Sequence, residues 1–197
     1  MEKSRSVKRL NEVDVLRPLA IFLVVLLHCF TVYWDGKWSP FVGFEPCVPY
    51  KWIAAASFSF TMELFVLLSG YIFGYQLLVQ EKVFTLKTLA KNKLYRLIVP
   101  SLVFGALYAL IFYWNRDFFT AVYRILNGAG HLWFLQMLFW CFILGFMLYK
   151  SGMCVKSKLL MLIGAIAIST VNIPLRLDKA LYYLFFFYLG IILSTRR

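Results

Sequence analysis

Charge is scarce in this chain of 197 residues: Asp, Glu, Lys and Arg make up 15% of it, and only 9 residues are acidic. So little charge excludes an ordinary soluble domain, and a hydrophobic content of 62% with a mean hydropathy of +0.75 describes an integral membrane protein. The four cysteines, Cys29, Cys47, Cys141 and Cys154, show no CxxC or Cys/His ligand spacing, so neither a disulfide framework nor a metal site follows. No small-residue cleavage site follows the first apolar run, which is long enough to span, and this argues against a cleavable signal. Internal repeats and low-complexity stretches are absent too. The net charge of +12 lies in short segments between apolar runs rather than on a soluble basic face, which excludes nucleic acid as a partner.

What is present is a succession of apolar runs, predicting an all-α, polytopic helical bundle of about six transmembrane helices in the lipid bilayer. A first span is expected over Val13 to Tyr33, then a loop rich in Trp, Pro and Gly through Pro49, and a second span over Trp52 to Leu78. Gln80 to Arg96 reads as a basic loop. A third span covers Leu97 to Trp114, and Asn115 to Gly130 reads as a polar connection with a Gly-Ala-Gly break before His131. The fourth span covers Leu132 to Tyr149. Leu159 to Val171 and Leu181 to Leu193 are 13 residues each, short against the roughly 20 that a bilayer requires. They are expected as spans five and six, the alternative being a re-entrant hairpin around Asn172, Ile173 and Pro174. With the amino terminus inside, the inner connections carry 14 Lys and Arg and the outer ones 6. That asymmetry predicts cytoplasmic termini in a multi-pass protein.

The stretch from Asp14 to His28 concentrates ionisable groups in an apolar helix, where they are costly and therefore suspected of function. Arg17 and His28 stand 11 positions apart, so they share a helix face about 16 Å apart along the axis. Asp14 is placed to pair with Arg17. Pro18 fits a first helical turn. On this orientation Arg17 lies near the cytoplasmic face and His28 in the outer half. A neutral imidazole is matched to taking a hydroxyl proton near neutral pH, which makes His28 a candidate general base. Glu63 lies about ten residues into the second apolar run, where a carboxyl group must be paired, wetted or protonated. A group that holds the imidazole tautomer is sought on a neighbouring span, and the family resemblance given below implies that Glu63 is that group.

Asp14-x-x-Arg17, the Arg17-x10-His28 spacing, Glu63-Leu-Phe-Val-Leu-Leu-Ser69-Gly70-Tyr71, Lys93-x-x-Arg96-Leu-x-x-Pro100 and His131-Leu-Trp133-Phe-Leu resemble the successive signatures of the membrane acyltransferase type 3 family. The resemblance implies an O-acyltransferase of the cell (inner or cytoplasmic) membrane. Its donor would be a cytoplasmic acyl-CoA, acetyl-CoA above all, and its acceptor a hydroxyl of a cell-envelope carbohydrate. Members typically have about ten spans, so residues 1–197 are expected to be one membrane domain similar to the amino-terminal part of such a protein, truncated and missing its carboxy-terminal helices. The third-span motif also departs from the usual Arg-x-x-Arg, with Lys93 in the first position.

The expected catalytic residues are His28 and Glu63, and the expected substrate-binding residues are Asp14, Arg17, Ser69, Lys93, Arg96, His131 and Trp133. Each has a plainer reading: His28 is also a histidine satisfied by a backbone carbonyl, and Glu63 is also a neutral carboxyl group hydrogen-bonded to a neighbouring helix. Arg17 is also an ordinary interfacial anchor, Lys93 and Arg96 are also topology charges, and His131 with Trp133 is also an interfacial belt. Ser69 and Gly70 suit close helix packing better than nucleophilic chemistry. The Phe-rich Leu184 to Leu189 stretch reads as packing or lipid-facing surface. Two alternatives to the enzyme remain: an inactive fragment of one, or a small proton or solute transporter lined by Asp14, Arg17, His28 and Glu63.

Overall fold

The structure is a computed structural model that describes residues 11–30, 47–112, 118–171 and 173–195. Every regular element among the described residues is helical. The order is α1 (Asn11–Phe30), α2 (Val48–Leu78), α3 (Leu86–Lys93), a π turn (Leu94–Ile98), α4 (Val99–Phe112), α5 (Phe118–Leu126), α6 (Trp133–Lys150), α7 (Val155–Ile168) and α8 (Leu177–Leu193). Backbone polar groups have no water to bond inside a bilayer, so a chain this apolar satisfies them within helices.

Among the described residues, four helical segments are long and apolar enough to cross a membrane: Val13–Phe30, Val48–Leu78, Leu86–Ile111 and Gly130–Lys150. The two shorter runs also form separate helices. With 14 and 17 residues, α7 and α8 are about 21 and 26 Å long, against a hydrocarbon core of about 30 Å. Positions 31–33 of the expected first span, Asn172 at the centre of the hairpin alternative, and the terminal residues that entered the charge count lie outside the described residues.

Three expected boundaries move. Helix α2 starts at Val48 and takes Pro49 into its first turn, where the missing N–H would have had no partner. The expected basic loop from Gln80 to Arg96 is helical from Leu86 onward. Thr85 caps that start, its hydroxyl accepting from the Thr88 backbone N–H at 3.2 Å. Lys87, Lys91, Lys93 and Arg96 therefore sit on a helix that runs on through the π turn into α4. The π turn, in which the Val99 N–H reaches back to the Leu94 carbonyl, comes just before Pro100. A widened turn there relieves the clash that a proline ring makes with the carbonyl four residues earlier. The third correction concerns Asn115 to Gly130, which contains α5, with Phe118 and Phe119 strongly exposed on it.

Internal contacts group the chain into two compact units that meet within α2, one up to Leu68 and one from Ser69. In the first, the Phe30 and Tyr50 rings join the end of α1 to the start of α2, 4.9 Å apart. Serine and threonine in α2 return their hydroxyls to the backbone a turn earlier, Ser59 to Ala55 and the buried Thr61 to Ser57.

In the second unit α8 packs on both α6 and α7. Its core is aromatic: Phe187 is fully buried, with its ring 4.9 Å from Phe142 and 6.0 Å from Phe73. Phe142 meets Phe73 edge-on at 5.3 Å. The Phe-rich stretch of α8 is thus packing surface at Phe187. Glycine lets the backbones approach, since a Cβ on Gly70 would stand 2.0 Å from the Phe187 carbonyl oxygen. This is the close helix packing expected of Ser69-Gly70.

Candidate functional site

In the first unit, Asp14 and Arg17 are exposed near the start of α1, and His28 is half-buried near its end. The His28 Nδ1 lies 2.7 Å from the Val24 carbonyl oxygen, one turn earlier, which is the backbone-carbonyl bond of the plainer reading of this residue. A carbonyl can only accept, so Nδ1 carries the proton, and in the neutral imidazole Nε2 keeps its lone pair. This differs from the expected arrangement in which Glu63 holds the tautomer. Glu63 is half-buried, and its Oε2 is buried with no hydrogen-bond donor among the described residues.

Helix geometry accounts for the difference. Starting from the Phe30–Tyr50 contact, Glu63 is 13 residues along α2 and Arg17 is 13 residues back along α1, about 20 Å in each case. Glu63 therefore lies about 20 Å along α2 from the end of that helix at which His28 stands. A buried, unbonded carboxyl oxygen is unusual enough to require an explanation, and a ligand-borne donor is one.

In the second unit the third-span cations diverge. Lys93 is half-buried, with Nζ over the Phe142 ring at 3.3 Å from its centroid, whereas Arg96 is exposed within the π turn. Ser69 is half-buried at the first position of this unit. At the opposite end of the third span, His131 is exposed in a short turn, Gly130–Leu132. Trp133 is half-buried, 6.3 Å ring to ring from Tyr183.

Two features at that end were not legible in the sequence. One is a buried polar link across α4, α5 and α6. The Gln136 amide donates to Ser101 Oγ and to the Ile125 carbonyl, each at 3.3 Å, and leaves its Oε1 buried without a partner. The other is an anchor across nearly fifty residues of chain. The side-chain oxygen of Asn127 accepts from the Leu175 N–H at 3.1 Å, and its backbone carbonyl accepts from Arg176 Nε at 2.7 Å. Leu175 and Arg176 are both left-handed, with φ of 60° and 58°, a conformation that costs each non-glycine residue about 1–2 kcal/mol. Strain of this kind persists only where surrounding contacts impose it. The Gly-Ala-Gly break was the visible signal: Gly128 and Gly130 have φ of 74° and 59°, and beside them Arg176 is drawn to Asn127.

The family model for an acyltransferase domain, Acyl_transf_3, matches residues 10–197. The chain belongs to this acyltransferase family. No curated protein and no solved structure matches it. Membership makes acyl transfer its chemistry, and the apolar helices make it a membrane protein.

Proposed function

We propose that the chain is an O-acyltransferase of the cell membrane with both termini cytoplasmic. It moves an acyl group, acetyl above all, from cytoplasmic acyl-CoA to a hydroxyl of a cell-envelope carbohydrate. The observation that carries the reading is the family match over residues 10–197; within it, the Val24 bond at Nδ1 fixes the His28 tautomer in which Nε2 is the basic nitrogen. A hydroxyl is a poor nucleophile until it loses its proton. Nε2 takes that proton as the hydroxyl oxygen bonds to the thioester carbonyl carbon. The carbon–sulfur bond then breaks and the imidazolium returns the proton to the leaving thiolate.

Arg17, with Asp14 beside it, meets the donor's phosphates in this reading. Lys93, over Phe142, positions the third span by its cation–π contact. Glu63, whose Oε2 is buried with no donor among the described residues, accepts a hydrogen bond that the donor brings. His131 and Trp133 stand on the acceptor side, and Ser69 serves at the close α2–α8 approach.

The test is transfer of labelled acetyl from acetyl-CoA to membrane extract by reconstituted protein. His28→Ala should lower transfer about 100-fold or more while leaving donor binding intact, and Arg17→Ala should chiefly weaken donor binding. Transfer by the His28 variant within a few fold of the parent overturns the base role.

A further inference from the structure

Below the Asn127–Arg176 anchor the second unit holds two adjoining cavities of opposite character. The first, of about 430 Å³, is polar and is lined by Thr120, Tyr123, Arg124, Asn127 and Arg176 with the Gly-Ala-Gly turn. Two guanidiniums line it, and none of its described lining residues is acidic. Asp178, two residues past Arg176, is buried in the first turn of α8 and is not part of this wall. The second cavity, of about 210 Å³, is apolar apart from Gln136.

The same two chain segments close both cavities. Leu126 and Leu175 line the apolar one, and their immediate successors Asn127 and Arg176 line the cationic one. From there the apolar wall follows Leu102, Ile98 and Leu94 along the third span opposite Phe139 and Trp140, a course of about 12 Å. Trp140 Nε1 donates to the Leu175 carbonyl at 3.2 Å and so holds the turn over the groove. Tyr123, exposed on α5 and part of the first cavity's wall, is the amphipathic kind of ring that sits at headgroup level, and so suits the cationic cavity to that depth.

A cationic mouth at headgroup depth over an apolar groove within the hydrocarbon matches one kind of molecule. We infer that this end of the second unit binds a phosphate-bearing membrane lipid, its phosphate between Arg124 and Arg176 and its hydrocarbon along Leu102, Ile98 and Leu94. Guanidinium pairs recognise phosphate through paired charged hydrogen bonds. The two φ > 0 residues and their Asn127 bonds are what aim Arg176 at the mouth.

The experiment is native mass spectrometry of the whole chain released from detergent micelles, with no acyl donor present. Three matched probes are used: dioctanoyl phosphatidic acid, dioctanoylglycerol and glycerol 3-phosphate. Phosphatidic acid should be retained about tenfold or more better than either half-ligand, because only it reaches both cavities. Arg124→Gln should weaken phosphatidic acid roughly tenfold and leave dioctanoylglycerol unchanged, the loss of one charged hydrogen-bonding partner. Leu102→Trp, which fills the groove, should weaken phosphatidic acid and leave glycerol 3-phosphate unchanged. Equal retention of dioctanoylglycerol by the parent protein reduces the site to general lipid contact and overturns the inference. Equal retention of glycerol 3-phosphate overturns it in favour of a free-anion site, and both comparisons hold whether or not the variants fold. Failure of acetyl transfer with these binding results intact counts against the transferase reading alone.

Discussion

Gly70→Ala tests the packing that holds α2 against α8. The added Cβ would stand 2.0 Å from the Phe187 carbonyl oxygen, 2.8 Å from its carbonyl carbon and 3.0 Å from its Cα. All three are backbone atoms of a buried helix, so no side chain can swing aside. Restoring the shortest contact to even 3.0 Å moves the helices apart by about 1 Å, a gap that forfeits a quarter to a half of the dispersion energy across it. The loss falls on the Phe187 ring, whose pairs with Phe73 and Phe142 are each worth about 0.5–1.5 kcal/mol beyond area. Added to an overpacking cost of about 1–3 kcal/mol, the expected destabilisation is about 2 kcal/mol, roughly 30-fold in the unfolding equilibrium. Reversible unfolding in mixed micelles titrated with dodecyl sulfate measures it. Gly164→Ala in α7 is the control, since its Cβ meets nothing within 4 Å and alanine gains up to about 1 kcal/mol of helix propensity. If Gly70→Ala unfolds like Gly164→Ala, the close α2–α8 approach is not what stabilises this unit.

Cys154, exposed just ahead of α7, is held below the ordinary thiol range by a hydrogen bond from the Ser157 hydroxyl at 3.3 Å. Its thiolate therefore forms at lower pH than a free cysteine's, and in a background lacking Cys29 and Cys47 its alkylation rate should rise at correspondingly lower pH. Ser157→Ala should move that profile upward, and an unmoved profile would remove the hydroxyl as its cause. The same thiol reports orientation: with both termini inside, a membrane-impermeant maleimide should label it only after permeabilisation. Asn127→Ala removes the acceptor of the Leu175 N–H, a bond worth about 1 kcal/mol with a further penalty for the stranded donor. Hydrogen exchange at the Leu175 amide should quicken about fivefold or more, and an unchanged rate would show that Asn127 does not hold the turn.

The helices were legible in the sequence because their cause is local. Inside a bilayer each backbone group must bond within its own segment, so an apolar run becomes a helix whatever its neighbours do. The motif residues on α1 could be placed for the same reason, as the separation of Arg17 from His28 follows from helix rise alone. Family membership was also visible, being carried by short patterns that recur in order along one chain.

Tertiary structure decided what depends on contacts between distant parts. The turn at Leu175 and Arg176 adopts its left-handed backbone while anchored by Asn127, 48 and 49 positions earlier in the chain, and neither leucine nor arginine signals such a conformation. Lys93 and Arg96 look alike in sequence, yet a π turn and the Phe142 ring direct one inward and leave the other exposed. Glu63 was expected to hold the His28 tautomer because the family resemblance implied that their helices pack together there. Its separation from His28 is set by where α2 begins against α1, at the Phe30–Tyr50 contact, and where two helices meet is a property of packing that residue spacing within one helix cannot express.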